Sequence, residues 1–91
     1  MPGKKNQGTS IDCPKGKWTN IAQGSLVGIG AKFRLQADPV VKFKWRWIGS
    51  FIPYYYDGTS NSAGHATATA SMSAYWRIDV RPSSNTTIHV D

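Results

Sequence analysis

The chain has 91 residues, with 11 Lys and Arg against 5 Asp and Glu, a formal net charge of +6 and a single cysteine. That length holds one small domain, and lone Cys13 excludes an intrachain disulfide and lacks the companions of a zinc site. No apolar run approaches the ~20 residues of a membrane-crossing helix, and residues 1–10 carry Lys4 and Lys5 without an apolar segment behind them, so neither a membrane partner nor a secretory leader is expected.

Every acidic residue is Asp, and Leu occurs only at positions 26 and 35, whereas Thr, Ser, Val, Ile and aromatic residues are frequent. Apart from Ala, strong helix formers are scarce, which favours an all-β domain. Residues 1–16 hold three Gly, two Pro and the cations Lys4, Lys5 and Lys15, with little to bury, and read as a flexible basic N-terminal arm. The folded domain is expected over 17–91.

From Lys17, the residues Trp18, Asn20 and Ala22 alternate with Thr19, Ile21 and Gln23, predicting a strand whose two sides are ambiguous. Beyond Gly28 and Gly30, Phe33 and Leu35 share one face of a strand over 31–37, with Lys32, Arg34 and Gln36 on the other. The clearest alternation follows: Val41, Phe43, Trp45 and Trp47 against Lys42, Lys44 and Arg46, a half-buried strand with a basic outer face. Only Asp38-Pro39 and Val40 separate these two runs, a gap short enough for a hairpin that would gather all five cations on one face.

Pro53 marks an edge or an excursion, and Asp57-Gly58 opens a polar loop extending to Gly64. Phe51, Tyr54, Tyr55 and Tyr56 are more aromatics than one small core needs, so at least one of the tyrosines is expected exposed or in an interface. His65 to Ser73 alternates Ala66, Ala68, Ala70 and Met72 with Thr and Ser, predicting a strand with a small inner face opposite Phe43, Trp45 and Trp47. Trp76, Ile78 and Val80 then alternate with Arg77, Asp79 and Arg81, and after the turn at Ser83-Ser84-Asn85 the chain closes on Thr86, Ile88 and Val90. The pattern predicts a single small antiparallel β-sandwich or barrel of about six to seven strands.

Catalytic chemistry finds little footing. His65 and His89 are the only near-neutral acid-base groups, neither sits in a nucleophile motif, and the aspartates fall in turns or on outer strand faces. No catalytic, cofactor-binding or metal-binding residue is assigned, and the protein is expected not to be an enzyme. Asn85-Thr86-Thr87 matches a glycosylation acceptor but reads as a turn, and Cys13 reads as an inert thiol. Lys32, Arg34, Lys42, Lys44 and Arg46 are candidates for contact with nucleic acid or an acidic surface. Against nucleic acid as the main ligand, Phe43, Trp45 and Trp47 alternate with those cations and face the core, whereas a stacking platform needs both kinds exposed together.

The opening K-W-T-N-I-A-Q-G (17–24) and the closing Y-W-R-I-D-V-R-P-S-S-N-T-T-I-H-V (75–90) frame about 75 residues in a layout that resembles the small β-sandwich proteins of tailed-bacteriophage virions. The basic, aromatic middle of the chain departs from that pattern. The resemblance implies a head-decoration (cement), fibre or tail component: a homotrimer bound to the major capsid or tail protein, made in the host bacterial cytoplasm and located in the virion. Lys4, Lys5, Phe51, Tyr54, Tyr55 and Tyr56 would then be partner-binding residues. The expectation is a non-enzymatic virion structural protein. A single-stranded nucleic-acid-binding module on the basic hairpin face is the alternative, and a carbohydrate-binding module using Tyr54 to Tyr56 a second one.

Overall fold

The computed structural model describes residues 9–27, 31–49, 55–70 and 73–91. They form eight strands: β1 (Thr9–Cys13), β2 (Thr19–Val27), β3 (Ala31–Asp38), β4 (Phe43–Gly49), β5 (Tyr55–Thr59), β6 (His65–Ala70), β7 (Ser73–Pro82) and β8 (Thr86–Val90). Two four-stranded antiparallel sheets, in the orders β1-β8-β3-β6 and β2-β7-β4-β5, pack into a sandwich, as the all-β reading expected. Every connection crosses from one sheet to the other except β4 to β5. This strand order is that of a jelly roll, two interleaved Greek keys.

Period-two patterning explains most of the core. One wall carries Phe33, Leu35 and Ala37 of β3, Ala68 of β6, and Ile88 and Val90 of β8; the other carries Phe43, Trp45 and Trp47 of β4, and Trp76, Ile78 and Val80 of β7. The Phe33 and Trp76 rings meet across the interior with centroids 4.8 Å apart. Each large side chain so buried contributes roughly 1.5–3 kcal/mol relative to exposure. β6 packs across from β4, as its small inner face predicts.

The expected hairpin of 31–37 with 41–47 does not form. β3 and β4 belong to opposite sheets. A hairpin would have placed Phe33 and Leu35 beside Phe43, Trp45 and Trp47 on one face still needing a cover; as opposing walls, the two sets bury each other.

Two of the eight strands, β1 and β5, fall where no strand was expected. β1 lies in the segment read as an arm: it pairs with β8 from Thr9↔Val90 to Cys13↔Thr86, and Cys13 is buried. Residues 1–8, with Lys4 and Lys5, lie outside the described residues. β5 occupies the stretch read as a loop from Asp57, because Gly58 pairs with Trp45 and leaves space for its indole. The turn falls three residues later, where the Asn61 Oδ1 accepts the Ala63 and His65 N–H groups at 2.9 and 3.0 Å.

The ambiguity of β2 is a β-bulge. Its register against β7 shifts between Asn20 and Ala22, so the consecutive residues Ile21 and Ala22 are both buried and the simple alternation fails.

Candidate functional site

The outer face of β2-β7-β4-β5 concentrates the charge. Alternation aims Lys44 and Arg46 outward from β4, and Arg77, Asp79 and Arg81 outward from β7. The register sets Arg46 beside Asp79 and Lys44 beside Arg81. Asp79 is only 1% exposed even though it belongs to the outer face. Its carboxylate accepts hydrogen bonds from Arg46 Nε at 2.9 Å, from Arg77 Nε and Nη2 at 3.0 and 2.9 Å, and from Asn20 Nδ2 at 3.3 Å. Two guanidinium groups and an amide take the place of the water that so covered a carboxylate gives up. Asp79 thus lies on an outer strand face, as read, but is covered there by the side chains that it pairs with.

Trp18 leads into β2 and lies over this cluster. The Arg46 guanidinium carbon is 4.2 Å from its ring centroid, and that of Arg81 is 5.6 Å away. Both distances are within cation–π range. One aromatic side chain thus sits, half-buried, among the outer-face cations.

Loop hydrogen bonds bring more cations to the same end. The Gly16 N–H donates to the Pro82 carbonyl at 2.9 Å, the Lys15 N–H to Asn85 Oδ1 at 2.8 Å, and the Ser83 N–H to the Lys42 carbonyl at 2.9 Å. Gly16 has φ +73°, a left-handed conformation that glycine adopts without penalty, and it turns the chain so that Lys15 and Trp18 flank the end of β7. The result is two contiguous recesses. The first, about 350 Å³, is lined by Lys15, Lys42, Lys44 and Arg81 among others. The second, about 330 Å³, shares Lys44, Thr59 and Arg81 and adds Trp18 and Asp57. Among the described residues, Lys15, Lys42, Lys44 and Arg81 make no ion pair.

The outer face of β1-β8-β3-β6 differs in charge. Lys32 and Arg34 project there, away from Lys42, Lys44 and Arg46, so the single stripe of five cations is corrected to two groups on opposite sheets. Arg34 pairs with Asp91 at 2.7 Å. Asp12 accepts from the Thr87 hydroxyl at 2.8 Å. His89 is hydrogen-bonded through Nδ1 to the Ser10 hydroxyl, and its Nε2 lies 3.7 Å from Asp38 Oδ2. Ser10, His89 and Asp38 carry the side chains of a hydrolytic triad, but they form a row across an open sheet face. At His89 strand β8 is paired on both sides, with Ser10 of β1 and Gln36 of β3. His65 is exposed at the start of β6.

Of the expected partner-binding residues, Lys4, Lys5, Phe51 and Tyr54 lie outside the described residues; Tyr55 and Tyr56 lie on edge strand β5, at the register positions of Ile48 and Trp47. Cys13 is a core residue, not part of an arm, and burial, reinforced by the negative charge of Asp12, pushes its thiol up to about 11. Asn85 and Thr86 of the glycosylation pattern are engaged: the Thr86 side chain is buried and its hydroxyl donates to the Pro39 carbonyl at 2.7 Å. The residues that sequence reasoning left out are Lys15, Trp18, Asp79 and Arg81. The Arg-x-Asp-x-Arg spacing of β7 already puts Arg77, Asp79 and Arg81 on one face, whereas the arrival of Trp18, Lys15 and Arg46 depends on the order of the strands.

No protein-family model matches the chain, and no curated protein matches it significantly.

Proposed function

We propose that the protein is a non-enzymatic structural protein of a virus particle, one that self-associates and docks on a capsid or tail surface as a decoration protein does. The observation that supports this best is the strand order, β1-β8-β3-β6 against β2-β7-β4-β5. Jelly rolls of this kind serve as capsid domains, and also as lectins and cupins, so the fold needs a second argument. The interior supplies it. Trp47, Trp76, Phe43 and Leu35 fill the space between the sheets, and both histidines lie at outer positions, which leaves the cupin mode of ligand binding inside the barrel without its usual equipment. A solid sandwich of this size works through its surfaces and edges. β1 and β6 border one sheet, and β2 and β5 the other, each offering a row of backbone groups to a neighbouring chain. Exposed Tyr75 and Val40 add apolar contact area.

Sedimentation velocity over a range of protein concentrations tests the reading. Discrete oligomers, with a trimer as the expected unit, support it. A strict monomer that also fails to form regular assemblies under electron microscopy overturns it.

A further inference from the structure

We propose that the Trp18 end of the β2-β7-β4-β5 face binds single-stranded nucleic acid, with Lys15, Lys42, Lys44 and Arg81 on the phosphates and the exposed part of Trp18 against a base. This goes beyond a shell-building role and does not depend on it.

The first ground is an uncompensated charge. Lys44 and Arg81 are direct cross-strand neighbours, an arrangement that repels and weakens a sheet. The nearest buried carboxylate, Asp79, is already committed to Arg46 and Arg77. Asp57 is the one acid lining the recesses, against Lys15, Lys42, Lys44 and Arg81. An anion in these recesses removes the repulsion that folding leaves in place.

The second ground is shape and chemistry together. Two recesses joined at Lys44 and Arg81 form a track, which suits a chain of anions better than a single one. Each has a volume at the lower end of sites that enclose a small molecule, close to one nucleotide and too small for a duplex. Trp18 stands at one end of the track, where an acidic peptide would have no use for it and a base would. Cations and an aromatic exposed on the same face are the combination that the alternation of Phe43, Trp45 and Trp47 with Lys42, Lys44 and Arg46 denies to β4 alone.

The other sheet provides the control. There Lys32 and Arg34 share the outer face with Asp12, Asp38 and Asp91, and Arg34 is already paired.

The test is anisotropy of a labelled oligothymidylate across salt concentrations, read together with the protein's own fluorescence. Trp47 and Trp76 are fully buried, so quenching by a bound base reports on half-buried Trp18 and on the rim of Trp45, which lines the same recess. Four phosphate contacts predict a log–log salt slope of about −3, falling to about −1.4 in Lys44→Ala/Arg81→Ala. Because Arg81 also touches Trp18, Lys42→Ala serves as a second variant in an exposed connection, expected to reduce the slope by about 0.7 with an unchanged thermal melt. Lys32→Ala/Arg34→Ala is expected to bind like the unaltered protein. The proposal is overturned by no binding at low salt, by equal weakening in the Lys32/Arg34 variant, or by polyglutamate binding as tightly with the same quenching. Oligomeric state is a separate readout, so this site and the shell-building role fail independently.

Discussion

Gly58 of β5 lies opposite Trp45 of β4, and a β-carbon at position 58 would stand 2.7 Å from the indole nitrogen. The same relationship recurs in the same sheet, where Gly24 of β2 lies opposite Trp76 of β7 and a β-carbon would stand 2.9 Å from Cζ2. In both pairs the indole extends over the neighbouring strand, and only a residue without a side chain leaves it room. Gly24→Ala and Gly58→Ala should therefore each destabilise by about 1–3 kcal/mol, more than the ~0.4–1 kcal/mol gained from a stiffer unfolded chain. Gly24→Ala should cost more, because Trp76 is 1% exposed and has nowhere to move, whereas Trp45, at 9%, can tilt toward solvent. Urea unfolding of the two variants checks the order.

Asp79 supports the opposite side of that sheet. Asp79→Asn leaves Arg46, which lies against the Trp18 ring, and Arg77 without their countercharge. Removing one partner of a fully buried pair costs about 3–5 kcal/mol, but the arginine side chains are 26% and 42% exposed and regain water, so about 1–3 kcal/mol is expected. Trp18 emission should shift as Arg46 leaves its ring. An unchanged melting midpoint would show that the carboxylate is not holding the face together.

The core of this sandwich was legible because its strands keep strict alternation: Phe33 with Leu35, Phe43 with Trp45 and Trp47, Trp76 with Ile78 and Val80 all point inward as read. Partnership between strands was not. Asp38-Pro39 is as compatible with a crossover as with a hairpin, and the choice between them decided whether Lys32 and Lys44 share a face. The bulge at Asn20 to Ala22 hid the side of β2, and with it the position of Trp18. β1 escaped notice because a five-residue edge strand with one fully buried side chain, Cys13, has almost the composition of a tail. The candidate site therefore could be read only in pieces: its lysines and arginines from charge, its geometry from the register alone.

Cys13 gives a prediction with a definite sign. Its thiol ionises near 11 in the folded chain, raised from an ordinary value of 9.0 chiefly by burial. The native state thus holds its proton to higher pH than the unfolded state, and the stability this confers is fully present below pH 9 and declines as pH rises toward 11. The loss should amount to roughly 1–3 kcal/mol. Unfolding free energies measured at pH 8 and at pH 10.5 should differ less in Cys13→Ala than in the unaltered chain. A thiol reagent at pH 8 should react with Cys13 only at the rate of unfolding.

Strand β1 tests where the folded unit begins. It contributes the whole pairing partner of β8 on its outer side, from Thr9↔Val90 to Cys13↔Thr86, along with a buried thiol and the partly buried Ile11. Deleting residues 1–13 would expose the edge of β8, uncover part of the wall formed by Ile88 and Val90, and release the start of the loop that carries Lys15 and Trp18. An open edge of this kind pairs with whatever strand is available. The truncated protein should melt at a lower temperature and self-associate through β8. Ile11→Asp should lower stability less, since it leaves the five-residue ladder in place. If the truncated chain melted like the full one, β1 would be an appendage and the domain would begin near Lys17; a large loss would make residues 9–13 part of the sandwich, and their connection to β2 the device that fixes Lys15 and Trp18 beside Arg81.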